Sequence, residues 1–290
     1  MKWINIRHQK LQDPTQSAHG SSRRAVEANA AKASFRRRRT WIFWSAIPLV
    51  ALLGTGGLFW LRAQETGQTA AYYEQHPAEL LSGFRHVEVS SVADAEEQLG
   101  DGRMYMSHRM QSLFPTKFAG YAITVKLVKQ ENHDPDALTG MLEAIDSGEK
   151  DSVYVMTIED GENIAGMGGL MGTAMSARNF AGAIIDGGVR DVAYLHKIGF
   201  PVYATGIVPS TSVGHYRFGG KNLQVTCDGV PVTGGDIIAA DQDGVVVVPK
   251  DKAAEVLVKA QQLDFQEHSM YPLIDKLRSI GAAVKQFGRL

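Results

Sequence analysis

GLMGTAMSARNFAGAIIDGGVRDVAYLHKIGFPVYATG, residues 169–206, is the stretch on which the fold turns. Its apolar residues change period along the chain. GLMGTAMSARN (169–179) has helical spacing, whereas AGAIIDG (181–187) is a short apolar run bounded by glycines and reads as a strand. DVAYLHKIG follows with Val192, Leu195 and Ile198 on one helical face, and FPVYATG returns to a strand. Strands of this apolar kind alternating with helices are expected to be covered on both faces.

The alternation extends upstream. VSSVADAEEQLG (89–100) reads as a helix after a serine cap, GYAITVKLV (120–128) as a strand, ALTGMLEAID (137–146) as a helix and VYVMTI (153–158) as a strand. Downstream, residues 222–249 place Asp228-Gly229, Gly234-Gly235 and Asp243-Gly244 between β-branched runs, which is hairpin chemistry. KDKAAEVLVKAQQLDFQEH (250–268) closes the domain as a helix, and SMYPLIDKLRSIGAAVKQFG (269–288) reads as a helical tail. The domain is therefore expected over 85–258 and the tail over 259–290, after a tether at 62–84.

The first 61 residues differ from the rest. Ten Lys and Arg residues fall in 1–40, a polar and aperiodic segment expected to be disordered, against Asp13 and Glu27. That leaves 20 basic and 29 acidic residues after position 61, a balance that argues against nucleic-acid binding by the folded part. Residues 41–61, WIFWSAIPLVALLGTGGLFWL, carry no charge and have tryptophans at both ends and Arg36 to Arg39 on one side. This pattern predicts a transmembrane helix, with the basic N-terminus cytoplasmic and the domain on the far side; a cleaved export signal is the rival reading. The single cysteine, Cys227, excludes an internal disulfide and a cysteine-cluster metal site.

The glycines at AGMGGLMG (165–172) fit neither nucleotide motif: Met171 stands where GxGxxG needs its last glycine, and no lysine follows Gly172. VYVMTI also ends well before them. A small anion at a helix N-terminus stays open. Arg190-Asp191, at the end of IIDGGVRD, pairs a fork of donors with a carboxylate able to hold a hard cation. The same two residues also suit a helix N-cap beside a surface ion pair.

Taken together, GGLMGTAMSARNFAGAIIDGGVRDVAYLHKIGFPVYATG and VTCDGVPVTGGDIIAADQDGVVVVP resemble the RraA-like family, with SVADAEEQLGDGRM and SLFPTKFAGYAITV extending the likeness over roughly 86–256. That family includes divalent-metal-dependent aldolases acting on 4-hydroxy-4-methyl-2-oxoglutarate and 4-carboxy-4-hydroxy-2-oxoadipate. The resemblance implies an α/β fold, a three-layer β/β/α swivelling-type domain, assembled as a homotrimer or hexamer with sites at subunit contacts. It implies that backbone N–H groups of Gly168, Gly169, Leu170 and Met171 receive the carboxylate of a 2-oxo acid, that Arg190 binds its oxygen, and that Asp191 binds Mg²⁺ or Mn²⁺. In characterised aldolases an acidic residue stands where this chain has Gly169.

The implied activity is C–C lysis through a pyruvate enolate, as an aldolase or an oxaloacetate decarboxylase. The alternative is a non-catalytic regulator, since some members inhibit ribonuclease E by protein contact. Asp191 favours the enzyme, as does a domain facing away from the cytoplasm. Asp186 and Asp94 are expected as outer supports or caps, His215 as a solvent-exposed loop residue, and Asp241 and Asp243 as turn formers. His215 and Glu267 are the reserve candidates for a base.

Overall fold

The computed structural model describes residues 67–287. The βα alternation appears in the expected order: β2 (Phe118–Lys129), α3 (Thr139–Asp146), β3 (Ser152–Ile158), β4 (Ala165–Met167), α4 (Gly169–Ala177), β5 (Gly182–Val189), α5 (Val192–Ile198) and β6 (Val202–Ile207). Strands β2, β3, β5 and β6 are parallel neighbours. Helices α3, α4 and α5 connect them across one face, where Met141, Ile145, Met175 and Leu195 pack on Tyr154, Met156 and Ile185. The side chains alternate: Val153, Val155 and Ile184 point to the opposite core.

That second core lies inside the curl of the sheet. On the far side of β2 the sheet continues through antiparallel β10 (Ile237–Asp241) and β11 (Gly244–Val248), the hairpin that Asp243-Gly244 announces. β7 (Tyr216–Lys221) also pairs with β2, and β8 (Val225–Cys227) and β9 (Val230–Val232) form a separate small hairpin whose valines fill the interior. The chain at 105–112 touches both edges of the sheet. Tyr105 bridges to Val246 of β11, and β1 (Gln111–Ser112) pairs with β6. The Tyr203 hydroxyl of β6 donates to the Asp241 carbonyl at the end of β10. The two β layers expected from the resemblance are therefore one continuous, nearly closed mixed sheet, with helices over its outside.

The boundaries shift where long-range contacts decide them. Residues 77–84, expected as tether, form most of α1 (Pro77–His86), which buries Leu80, Leu81 and Phe84 and ties Arg85 to the Ala119 carbonyl and to Asp151 at 2.7 Å. α2 (Val89–Leu99) takes no serine cap; Asp241 receives the Val89 N–H at 3.0 Å from across the domain. The closing helix and the start of the tail are one helix, α6 (Ala253–Leu277), with Pro272 inside it, followed by α7 (Ile280–Phe287).

The expectation of a membrane-spanning protein is corrected: among the described residues no helix is long and apolar enough to cross a membrane. Residues 41–61, which prompted it, lie outside the described residues, as do the basic segment before them and the start of the tether.

One core position is costly. Glu96 of α2 is wholly buried, and both its carboxylate oxygens lack a hydrogen-bond partner among the described residues. Burial pushes its carboxyl up to about 7, with Lys252 pulling the other way. Between 4.5, the ordinary value, and about 7 the native protein holds a proton that the unfolded chain has released, so stability falls as pH rises through that window. Glu96→Gln should flatten this slope and raise stability at pH 8 by up to about 3 kcal/mol. Urea midpoints measured from pH 5 to 8 check it; an unchanged slope counts against the assignment.

Candidate active site at the ends of β4 and β5

The glycine segment does follow a strand immediately. β3 pairs with β5 as far as Asp186, and after the loop 159–164 the short β4 takes its place beside the end of β5, aligning Ala165 with Gly188 and Met167 with Val189. The sequence hides β4 because three residues are too few to show a period. Its position brings two strand ends together, Gly168 leaving β4 and Arg190 leaving β5, with the Arg190 N–H donating to the Met167 carbonyl at 3.0 Å. In parallel α/β sheets this carboxyl-end crevice is where ligands bind.

Gly168 is the extended N-cap of α4. A Cβ there would stand 2.7 Å from Asp191 Oδ2 and 3.0 Å from Arg190 Cγ, so the position requires glycine by close approach. The Gly169 N–H donates to Asp191 Oδ2 at 2.8 Å. Asp191 sits at the N-cap of α5 but makes no side-chain cap there; its carboxylate reaches back to the start of α4 instead. It does so from a left-handed backbone, φ 59° and ψ 32°, which Asp tolerates better than most residues. The N-cap reading of Asp191 thus holds for its backbone alone. Its carboxylate thus takes the Gly169 N–H at the start of that helix.

Arg190 lies alongside, half-exposed, with Nη1 donating to the Ser210 carbonyl at 3.0 Å and Nε 4.0 Å from Asp191 Oδ2. Leu170 is 90% exposed at the mouth, whereas Met171 is buried in the core that the helices cover. All six residues singled out in the sequence are therefore neighbours. They border two hollows that share Gly169, Leu170 and Asp191. One, of about 230 Å³, lies on the Arg190 side, between α3 and the loop 211–213; the other, of about 500 Å³, runs along Thr173 and Tyr194.

The donor set fits a hard divalent cation held by one carboxylate. Mg²⁺ commonly takes one or two carboxylates and completes its shell with water and substrate oxygens. Among the described residues no three His, Cys, Asp or Glu side chains converge, so a closed protein cage is not on offer.

The remaining candidates lie elsewhere. Asp186 accepts the Asp228 N–H at 2.8 Å, and burial raises its carboxyl above the usual range; Arg109 bridges it to Asp228. Asp94 is exposed on α2. His215 is exposed and pairs with Glu131 at 2.9 Å. Asp241 is buried and accepts the Asp243 N–H within the β10–β11 turn, and Glu267 accepts from Tyr271 on α6. Sequence reasoning missed Tyr194, Thr173 and the run Ser210-Thr211-Ser212. Only the last carried a signal, as a polar loop directly after a strand.

Comparison with known proteins places the fold in a family. The RraA-like family model, described as Aldolase/RraA, matches residues 89–247. A Halalkalibacterium halodurans protein provisionally named a 4-hydroxy-4-methyl-2-oxoglutarate aldolase is 27% identical over 198 residues, 65% of this chain and 85% of that protein. A Deinococcus radiodurans protein of the same provisional name is 31% identical over 46% of this chain and 78% of its own length. Among solved structures, Streptomyces coelicolor RraAS2, described as an unusual member of the RNase ES inhibitor RraA family, aligns with a TM-score of 0.60 at 25% identity, over 69% of this chain and 98% of its own. An uncharacterized Pseudomonas syringae protein shares the fold, with a TM-score of 0.65 at 24% identity over 72% of this chain and 94% of its own.

The left-handed backbone at Asp191 separates folding from function. Asp191→Asn should melt within a few degrees of the parent, because Asn accepts this conformation and its amide oxygen can still receive the Gly169 N–H. Asp191→Ala should cost roughly 1–3 kcal/mol, combining left-handed strain with the lost acceptor. Equal melting temperatures for the two variants would show that the conformation is not a constraint.

Proposed function

Because the chain belongs to the RraA-like family, we propose that it is a divalent-metal-dependent C–C lyase acting on 2-oxo acids through a pyruvate enolate. The observation that carries this reading is the placement of the Asp191 carboxylate and the Arg190 guanidinium around the same helix start, beside an open hollow.

Asp191 would hold Mg²⁺ or Mn²⁺, and when bound the cation would polarise the 2-oxo group as a Lewis acid. The chain's own groups do the rest. The N–H groups of Leu170 and Met171, in the first turn of α4, have no acceptor within the helix and are oriented for the substrate carboxylate. Arg190, steadied by the Ser210 carbonyl, offers its remaining donors to the oxygen on which enolate charge develops. No lysine lines either hollow among the described residues, so a Schiff base is not part of the reading.

Retro-aldol cleavage must also take a proton from the C4 hydroxyl, which needs a base or a water that a carboxylate positions. Gly169 supplies neither. Decarboxylation of oxaloacetate asks only that the enolate be stabilised. The resemblance to RraAS2 supports a second reading, a protein-binding regulator. Membrane topology gives no ground for choosing between them.

The test is turnover of oxaloacetate and 4-hydroxy-4-methyl-2-oxoglutarate with and without Mg²⁺ or Mn²⁺. Oxaloacetate should be consumed faster, chelation should abolish both activities, and Arg190→Lys should lower both strongly. Metal-independent inertness towards every 2-oxo acid, with tight binding of a protein partner, would favour the regulator.

Gly169→Asp should raise the aldolase-to-decarboxylase ratio by on the order of 10²–10⁴. The new Cβ would stand 3.4 Å from Asp191 Oδ2 and 3.0 Å from Tyr194 Cδ1, so Tyr194 must give by a few tenths of an ångström. Robust aldolase activity in the unsubstituted protein would remove this argument and point to a base from another loop or subunit.

A further inference from the structure

The loop after β6 is fastened to the site at Ser210. Val208 begins that loop by donating its N–H to the Val189 carbonyl of β5 at 3.0 Å, and Pro209, which follows, has no N–H to give. Ser210 then makes three contacts. Its hydroxyl donates to the Asn163 carbonyl at 3.0 Å and accepts the Ala165 N–H at 2.8 Å, so the oxygen is engaged as donor and as acceptor at the entry to β4. Its own carbonyl receives Arg190 Nη1 at 3.0 Å. Ser210 lines neither hollow, while Thr211, Ser212 and Val213 beyond it line the one on the Arg190 side.

That carbonyl decides where the guanidinium rests. Arg190 is half-exposed, and an arginine in that setting has many rotamers open to it. Asp191 does not select one: at 4.0 Å its Oδ2 is beyond hydrogen-bond reach of Nε, and an exposed ion pair at that range is weak. The Ser210 carbonyl is within reach and is itself fixed, because the serine hydroxyl bridges the peptide groups on either side of Ile164. Arg190 is thereby indexed against β4, and β4 delivers Gly168, whose Cα lies so close that an added Cβ would stand 3.0 Å from Arg190 Cγ. The guanidinium and the start of α4, which must meet one small ligand, take their relative places from one serine.

We propose that Ser210 is a positioning residue for the 2-oxo acid site: without touching substrate, its hydroxyl holds its carbonyl where Arg190 is kept beside the start of α4. The proposal rests on the role given above to Arg190 and goes beyond it by assigning the residue that sets its geometry. Misplacing a catalytic group by about 1 Å costs on the order of 10²-fold, so Ser210→Ala should lower kcat for oxaloacetate roughly ten- to a hundredfold. KM should change less, since Arg190 acts on charge that develops after binding. Ser210→Thr, which keeps the hydroxyl, should restore most of the rate.

The experiment compares the full-length parent with Ser210→Ala, Ser210→Thr and Ser210→Cys, the thiol being near in size but a weak hydrogen-bonding group. In protein carrying isotope-labelled arginine, the Arg190 Nε–H resonance, assigned by its loss in Arg190→Lys, reports side-chain order on the ps–ns scale through its heteronuclear NOE. That NOE should fall in Ser210→Ala and Ser210→Cys and keep its parent value in Ser210→Thr. A double-mutant cycle is measured beside it: Ser210→Ala should lose its effect on kcat in an Arg190→Lys background, because both substitutions act through one guanidinium. An unchanged Arg190 NOE in Ser210→Ala overturns the proposal. So does an equal loss of kcat in both backgrounds, which would confine the role of the serine to β4. If Ser210→Ala fails to fold, Ser210→Cys decides by the same criteria. A parent inert towards every 2-oxo acid removes the lyase reading, and the NOE then decides for or against Ser210 by itself.

Discussion

The site depends on a close approach of two backbones. β4 lies against the end of β5, where a Cβ on Gly188 would come within 2.2 Å of Val208 Cγ2 and 2.7 Å of the Ile164 carbonyl. A side chain there would push the segments apart. With glycine, the chain leaving β4 at Gly168 meets the chain leaving β5 at Arg190, and the helix α4 starts within hydrogen-bond reach of Asp191. The carboxylate, the guanidinium and the free N–H groups of a helix start are then held by main-chain geometry, which is stiffer than side-chain packing alone. Gly168 and Gly188 thus serve the site by what they lack.

That arrangement carries local costs. Asp191 adopts a left-handed conformation, and its carboxylate serves the start of a neighbouring helix rather than its own. Strain held at a functional position by surrounding structure is a common feature of active sites. Here the surrounding structure is extensive: β5 is hydrogen-bonded on both sides, by β3 and β4 along one edge and by β6 along the other. The curl of the sheet adds to this rigidity. The hairpin β8–β9 plugs the interior, and its turn residue Asp228 receives the Ser107 N–H at 2.5 Å and the Arg109 guanidinium, tying the closing segment 105–112 to the plug.

The absence of a side chain at 169 links the energetics to the chemistry. The Tyr194 ring lies 3.0 Å from where a side chain at 169 would begin, and its hydroxyl lies 3.3 Å from Thr173 Oγ1, so apart from Asp191 the second hollow is bordered by neutral hydroxyls. With Asp191 the sole carboxylate among the described residues lining the hollows, the cleft can stabilise an enolate but holds few groups to move protons. The preference for decarboxylation proposed for this protein follows from that feature.

Much of this was legible in the order of residues. The change of apolar period along 169–206, the hairpin dipeptides around 228 and 243 and the Gly168-Gly169 and Arg190-Asp191 pairs are local signals, and local signals survive in a one-dimensional string. What the tertiary structure decided was long-range. β4 is too short to have a period and exists because β5 offers it an edge. α1 reads as a tether until the sheet provides a surface for Leu80, Leu81 and Phe84. The cap of α2 is a residue of the β10–β11 turn, over 150 positions away. The curl that merges two expected layers into one sheet depends on pairings between both ends of the domain. Whether Asp191 would cap its own helix or face the cleft was likewise beyond the sequence, because the choice is made by a backbone N–H that only the packing of β4 beside β5 brings within reach.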